Sequence, residues 1–195
     1  MRQIIYFSKS ARTSGNFNTN ELMKAGRMDI VIHTIISSFF LSHGFRDDVK
    51  LHLIFYGNPD PPKHIEIQIT DELEISKKDI GNLIKKILYK YKQGEKTEPL
   101  KGCTIEKKSF LHVVEELIEK GKEIFILDKK GEDIRKFKTD ELRDAVFILG
   151  DHDGLPKKEL KRLKKQVRSV SIGPKTYFAS QTVAILNNEL DRRNI

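Results

Sequence analysis

The sequence contains a single cysteine, Cys103, and no apolar run that approaches the roughly 20 residues needed to span a bilayer. One cysteine excludes an internal disulfide and a cysteine-based zinc site, and it fits a reducing compartment. The first residues, Met1-Arg2-Gln3, lead into a short strand rather than into the apolar segment of a signal peptide. We therefore expect a cytoplasmic protein without a membrane partner.

Two phosphate-binding fingerprints, GxGxxG and GxxxxGK[ST], are also missing from the sequence. The last third of the chain instead has two strand–glycine loop–helix units, in which an apolar strand runs directly into Gly150 or Gly173. Glycine lets the backbone turn sharply and come close to a ligand. The two turns are predicted to form one pocket, which suits a nucleoside without a phosphate tail.

The balance of charges is basic, with 36 lysines and arginines against 28 acidic residues and a net charge of +8. This balance favours an anionic partner such as nucleic acid. With 195 residues, of which 38% are hydrophobic, the chain can bury one good core. A single domain over residues 1–195 is expected.

Apolar periodicity predicts an α/β fold. The first half has a strand at residues 4–7, a helix from Met28, a β-hairpin from VKLHLIFY and HIEIQI, and a helix from Ile80. The second half has a helix after Ser109, the strands EIFIL, AVFIL and VRSVSI, a helix at Pro156 and a terminal helix. The stretch YKQGEKTEPLKG is interpreted as a connection between the halves. Alternating strands and helices indicate one sheet covered by helices on both faces, with parallel strands in the second half.

The loop Asp151-His152-Asp153-Gly154 combines two carboxylates with an imidazole, which suggests a metal site. A calcium loop has its glycine at the sixth position and a glutamate at the twelfth, whereas this glycine is the fourth residue. The loop is therefore interpreted either as a turn that caps the helix starting at Pro156 or as a ligand-binding loop. No metal is expected.

The helix PKKELKRLKKQV is strongly basic and has only Leu160 and Leu163 to bury. Such a charge run is either a solvated face or, beside the predicted pocket, a contact for a phosphate backbone. The spacing of the histidines indicates no catalytic arrangement. These histidines are interpreted as ordinary: His33, His43, His52, His64 and His112.

Several segments together resemble one known family, and they extend over essentially the whole chain: MRQIIYFSKSA, SGNF, AGRMDIVIHTIISSFFLSH, FILGDHDGL and SIGPKTYFASQTVAILNNELD. The sequence is similar to the archaeal tRNA pseudouridine N1-methyltransferases (TrmY) of the SPOUT superfamily. The resemblance implies methylation by S-adenosylmethionine of the pseudouridine at position 54, in the T-loop of tRNA. It also implies a deep C-terminal trefoil knot, rare among folds, and a homodimer with the active site at its interface.

The resemblance implies a cofactor site on three loops of the knot region. Its residues would be Leu127, Gly150, Ile172, Gly173, Pro174, Lys175, Thr176, Tyr177, Phe178 and Ala179. One loop departs from the superfamily pattern, because many members have a Gly-Pro-Glu-Gly type of sequence where this chain has the Asp151–Gly154 loop.

The N1–H of pseudouridine is weakly acidic, so its methylation is helped by a base or by a cation that stabilises the developing anion. Asp29 beside Arg27 is the candidate catalytic pair, and an ordinary ion pair at a helix start is the alternative. Presenting a stacked base to the enzyme requires contacts to the RNA backbone. The candidates for these contacts are Lys9, Arg12, Arg46, Lys157, Lys161 and Lys164.

Two other functions are also compatible with the predicted pocket and the basic charge of the chain. An rRNA pseudouridine N1-methyltransferase of the related Nep1 type would have the same pocket and a different RNA surface. A non-catalytic RNA-binding protein would bind RNA without the cofactor, and the two pocket-forming glycine loops argue against it.

Overall fold

The computed structural model describes residues 1–73 and 75–195, which form one eight-stranded mixed sheet with helices on both faces. The strands are β1 Arg2–Ser8, β2 Val49–Phe55, β3 Lys63–Gln68, β4 Thr97–Leu100, β5 Cys103–Glu106, β6 Ile124–Asp133, β7 Val146–Gly150 and β8 Arg168–Ser171. The helices are α1 Met28–Phe39, α2 Ile80–Tyr89, α3 Phe110–Glu119, α4 Thr139–Leu142, α5 Lys157–Leu163 and α6 Ala179–Asp191. Short 3-10 turns lie at Leu22–Ala25 and Ile134–Lys136.

The strand order is β4-β5-β3-β2-β1-β7-β6-β8, with the first strand of the chain in the interior of the sheet. β1 is parallel to both β2 and β7, and β6 is parallel to β7 and β8. β3 and β5 continue the sheet in antiparallel pairing, which confirms the predicted β2–β3 hairpin. Every residue of β1 is buried, as expected for a parallel strand covered on both sides.

Alternate residues of the strands supply the two cores. Tyr6 of β1 packs in the larger core with Met28 of α1 and with apolar residues of α2 and α6. Phe7, pointing to the opposite face, packs with Phe110 of α3 and Leu163 of α5. The prediction of helices on both faces of one sheet is thereby confirmed.

Two segments differ from the sequence prediction. The stretch interpreted as a connection contains β4, which pairs with β5 in an irregular register. β6 extends well beyond the predicted EIFIL, and Val170 of β8 pairs with both Leu127 and Glu132 of β6. The residues between them include Gly131, where an added Cβ would lie 2.6 Å from the Val170 nitrogen. Only glycine permits this close approach of β6 to β8.

The ends of the chain are joined by Arg2. Its guanidinium donates to the Asp191 carboxylate at 3.0 Å and to the Ile195 carbonyl at 2.6 Å. Within residues 1–73 and 75–195, every helix is too short or too polar to cross a membrane.

Candidate functional site

A cavity of about 570 Å³ opens at the carboxyl ends of the parallel strands β7 and β8, beside the middle of β6. Three segments line it: residues 126–129 of β6, residues 149–155 at and after the end of β7, and residues 172–179 between β8 and α6. The carboxyl edge of parallel strands is the usual ligand site of an open α/β sheet. The two glycine turns therefore belong to one pocket, as the sequence predicted.

The residues that the family resemblance assigned to the cofactor cluster at this cavity. Pro174 is the exception and does not line it. Those that do are Leu127, Gly150, Ile172, Gly173, Lys175, Thr176, Tyr177, Phe178 and Ala179. Since they come from three segments that are separated in sequence, the fold brings them together.

Gly150 and Gly173 are each in close contact with a neighbour. A Cβ on Gly150 would lie 2.5 Å from the carbonyl carbon of Gly154, which belongs to the same tight turn. A Cβ on Gly173 would lie 2.8 Å from the hydroxyl oxygen of Tyr177. The first contact is with backbone and the second with the end of a side chain, but Gly173 also has a φ of 156°, a conformation that is essentially restricted to glycine, so both positions require glycine.

The cavity wall is mainly apolar, with a few charged groups at its edge. Leu127, Leu149 and Leu155 supply apolar surface. Asp128 faces the cavity and accepts a hydrogen bond from the Lys164 ammonium at 2.6 Å. An apolar slot with few polar groups suits the binding of a purine base.

Asp151 connects the ends of β1 and β7. Its carboxylate accepts hydrogen bonds from the Ser8 hydroxyl at 2.7 Å, the Lys9 amide at 3.1 Å and the Asp153 amide at 2.9 Å. The proposed helix-capping role is wrong, because α5 begins without a side-chain cap. Since Asp151 and Gly154 line the cavity, the ligand-binding alternative fits the loop.

Arg27 and Asp29 form a two-point ion pair where α1 begins. The Arg27 guanidinium donates from Nε to Oδ1 at 3.0 Å and from a terminal nitrogen to Oδ2 at 2.9 Å. These hydrogen bonds hold the pKa of Asp29 below its usual value. Arg27 has a left-handed backbone with φ of 61°, which costs an ordinary residue about 1–2 kcal/mol. The next residue along α1, Ile30, lines the cavity.

Tyr6 is a polar group at this site that sequence reasoning did not single out. Its hydroxyl is buried and, within the described part of the chain, has no hydrogen-bond partner of ordinary geometry. Burial raises the pKa of Tyr6, and the nearby Asp151 and Asp29 carboxylates raise it further. The hydroxyl therefore stays protonated. The apolar sequence IIYF of this strand does not indicate that the Tyr6 hydroxyl lies near the carboxylates of Asp29 and Asp151.

The basic residues predicted to contact RNA fall into two groups. Lys9, Lys157 and Lys161 are exposed to solvent, and Arg12 is half-buried. Arg46 instead donates two hydrogen bonds to Asp191, at 2.6 and 2.5 Å, and Lys164 pairs with Asp128. A phosphate would have to compete with a carboxylate for Arg46 and Lys164.

Comparison with known proteins gives a consistent result. The model of a family described as "Putative SAM-dependent RNA methyltransferase" matches residues 1–195. The chain is 35% identical to a tRNA (pseudouridine(54)-N(1))-methyltransferase of Methanococcoides burtonii, over 98% of this chain and 96% of that protein. It is 33% identical to the protein of the same name from Pyrococcus abyssi, over the full length of both.

Among solved structures, the fold resembles that of Archaeoglobus fulgidus Nep1 bound to S-adenosylhomocysteine. The TM-score is 0.66, the identity 15%, and the match covers 98% of each chain. At this identity the likeness concerns the fold.

Proposed function

Because the chain belongs to this family of SAM-dependent RNA methyltransferases, we propose that it methylates N1 of the pseudouridine at position 54 of tRNA. The reaction is the one that names its relatives from Methanococcoides burtonii and Pyrococcus abyssi. The observation that carries the proposal is the single cavity to which all three segments contribute.

The residues present fit S-adenosylmethionine. The cavity of about 570 Å³ lies within the common range for small-molecule sites, roughly 300–1,000 Å³. Leu127, Leu149 and Ile172 would enclose the adenine, and the tight turn at Gly150 allows backbone to approach the nucleoside. Asp128 and Asp151 would place negative charge near the cationic sulfonium.

When bound, the cofactor supplies a methyl carbon that is already electrophilic, so the protein has mainly to align the acceptor and exclude water. Asp29 would accept a hydrogen bond from the N1–H and so orient the base. A carboxylate with a lowered pKa is a weak base, and Arg27 would stabilise the negative charge that develops as the proton leaves. The left-handed backbone of Arg27 fits this role, since strained residues concentrate at functional sites.

For the RNA surface, Lys9, Lys157 and Lys161 are the exposed candidates that flank the cavity loops. Arg12, Arg46 and Lys164 complete the set proposed from the sequence. Phosphate contacts of this kind position the RNA without reading its sequence. The choice of nucleotide then depends on the pocket that receives the base.

We further propose a homodimer and a deep trefoil knot. The dimer is supported by Phe178, which lines the cavity with 76% of its surface exposed, an arrangement that a second chain would cover. The knot is supported by β6, whose residues Leu127 and Glu132 both pair with Val170 and whose Gly131 lies close to the backbone of β8. A cytoplasmic location is in keeping with the free, buried thiol of Cys103.

The test is methyl transfer from labelled S-adenosylmethionine to defined RNAs. Four substrates separate the alternatives: tRNA with pseudouridine 54, the same tRNA with uridine 54, an rRNA fragment with pseudouridine, and no RNA. We expect label in the first alone. Label in the rRNA fragment would support a Nep1-type function, and RNA binding without cofactor binding would support a non-catalytic role.

A further inference from the structure

A buried cluster of metal-ligand side chains lies on the α3 face of the sheet, apart from the cavity. His52 of β2 lies directly opposite Glu66 of β3, and His64 lies two residues before Glu66 on the same face. Both histidine side chains are 3% exposed, and that of Glu66 is 22% exposed. Nothing in the proposed methyl transfer uses these groups.

The three ligand atoms lie close enough to share one ion. His52 Nδ1 is 3.0 Å from His64 Nε2, and Glu66 Oε1 is 3.8 and 3.9 Å from the two nitrogens. These three distances define a point about 2.1 Å from each atom, which matches Zn–N and Zn–O bonds of roughly 2.0–2.2 Å. The second oxygen of Glu66 accepts from Lys96 at 3.0 Å, so Oε1 stays available.

Each imidazole has a polar partner at its outer nitrogen, so that its other nitrogen points toward the centre of the cluster. Glu106, held as an anion by Lys108 at 3.0 Å, accepts from His64 Nδ1 at 3.1 Å, so His64 Nε2 carries a lone pair. Gln3 Oε1 lies 3.0 Å from His52 Nε2 on the outer side of that ring, so His52 Nδ1 is the nitrogen that faces His64. The two inner nitrogens face each other at 3.0 Å with nearly parallel rings, so in the metal-free protein one donates a hydrogen bond to the other, and a bound metal ion would displace this proton.

This arrangement is the one found at metal centres, where the outer nitrogen of each histidine is fixed by a carboxylate or carbonyl oxygen. A second group of ligand-type side chains, Asp151, His152 and Asp153, differs from it. There the Asp151 carboxylate already accepts three hydrogen bonds, two from Ser8 and Lys9 at the end of β1 and one from Asp153 in its own loop. The buried cluster is therefore the stronger candidate.

We propose that His52, His64 and Glu66 bind a divalent transition metal, with zinc the best fit to two imidazoles and one carboxylate. Glu66 is the most exposed of the three, so the ion enters from its side and a water completes the coordination. The bound ion ties β2 to β3 directly. Through Gln3 and Glu106 it also fixes β1 and β5, so its effect is on the stability of four adjacent strands.

The proposal is tested with the untagged, chelator-stripped, full-length protein, loaded with Zn²⁺ and then desalted. Bound zinc is measured by mass spectrometry and the affinity by competition with a chromophoric chelator. The Co²⁺ form adds a visible absorption band that reports low coordination number. The variants are His64→Gln, Glu66→Gln and Glu106→Gln, and the matched control is His43→Gln, since His43 is exposed.

We expect one zinc per chain in the wild type and in His43→Gln, with a rise in thermal midpoint on loading. His64→Gln and Glu66→Gln should lose at least 100-fold in affinity and show no rise in midpoint. Glu106→Gln, which removes only a supporting charge, should lose about 10- to 100-fold. If circular dichroism shows that His64→Gln does not fold, the zinc affinity of Glu66→Gln tests the proposal, since that side chain is partly exposed. A folded wild type that retains no zinc, or equal retention by Glu66→Gln, overturns the proposal.

Discussion

The carboxylate of Asp29 receives two parallel hydrogen bonds from the Arg27 guanidinium, at 3.0 and 2.9 Å, on the residue that precedes the cavity-lining Ile30. Bidentate pairs of this kind fix direction as well as distance. The pair is therefore held in one orientation at the start of α1.

We expect Asp29→Asn to keep its affinity for cofactor and RNA and to lower the methyl-transfer rate by on the order of 10²-fold, because an amide cannot accept the N1 proton or balance Arg27. The measurement is the single-turnover rate at saturating cofactor and tRNA. Glu21→Gln is the control, since it removes a carboxylate from the exposed Glu21–Lys24 pair. A wild-type rate in Asp29→Asn would remove this residue from the mechanism.

The Asp29 pKa lies below its usual value because of the hydrogen bonds from Arg27. The carboxylate is consequently ionised at all pH values above an ordinary aspartate pKa of about 4. Between about pH 6 and pH 8, we expect the pH dependence of the single-turnover rate to have the same shape in the wild type and in Asp29→Asn. The stability from the ion pair should be present above about pH 4 and be lost as the pH falls through the lowered pKa. A rate step near neutrality that requires Asp29 would contradict the assignment.

Gly150→Ala should reduce the affinity for S-adenosylmethionine by at least 10-fold, because the new Cβ would lie 2.5 Å from the Gly154 backbone and displace the turn. Gly173→Ala should also reduce the affinity, because Gly173 has a φ of 156°, which is essentially restricted to glycine, and the new Cβ would lie 2.8 Å from the Tyr177 hydroxyl. Calorimetric titration measures both. Gly44→Ala is the matched control, with open space around the added methyl group. Equal affinities in all three variants would place the cofactor elsewhere.

Lys157→Gln combined with Lys161→Gln should weaken tRNA binding and make the slope of log affinity against log salt shallower. The expected change is roughly 0.7–0.9 per lost phosphate contact. Lys86→Gln with Lys90→Gln removes the same charge from exposed positions in and directly after α2, which packs on the other face of the sheet. If both pairs change the slope equally, binding responds only to net charge.

Cys103 should resist thiol reagents in the folded protein. Its side chain is fully buried in β5, and burial raises its pKa to about 12, so almost no thiolate exists near neutral pH. We expect no reaction with a chromogenic disulfide reagent in buffer and one reactive thiol per chain in guanidinium. Rapid reaction of the native protein would show that β5 opens locally.

The family, the sheet with two helical layers and the two glycine turns were all predictable from the sequence, because each depends on local periodicity or on matched segments. The Arg27–Asp29 pair was predictable for the same reason. β4 was missed because Thr97–Leu100 includes Pro99 and shows no alternation of apolar residues.

Contacts between distant residues had no local signal. Ser8 and Asp151 are 143 positions apart, and their hydrogen bond follows only from the parallel pairing of β1 with β7. His52 and His64 are likewise joined by strand pairing. A match between local segments can also assign a residue to the site that does not reach it. Gly173 and Lys175 line the cavity, whereas Pro174 between them does not.

The interior position of β1 has a consequence for biosynthesis. The edge of β1 that pairs with β7 has no partner until Val146–Gly150 leaves the ribosome, which at about 5–20 residues per second takes on the order of ten seconds. During that interval one edge of β1, with its apolar centre Ile4–Phe7, lacks its strand partner, and an unpaired strand edge is a site at which chains associate. The strand order thus delays completion of the sheet until the second half of the chain has been synthesised.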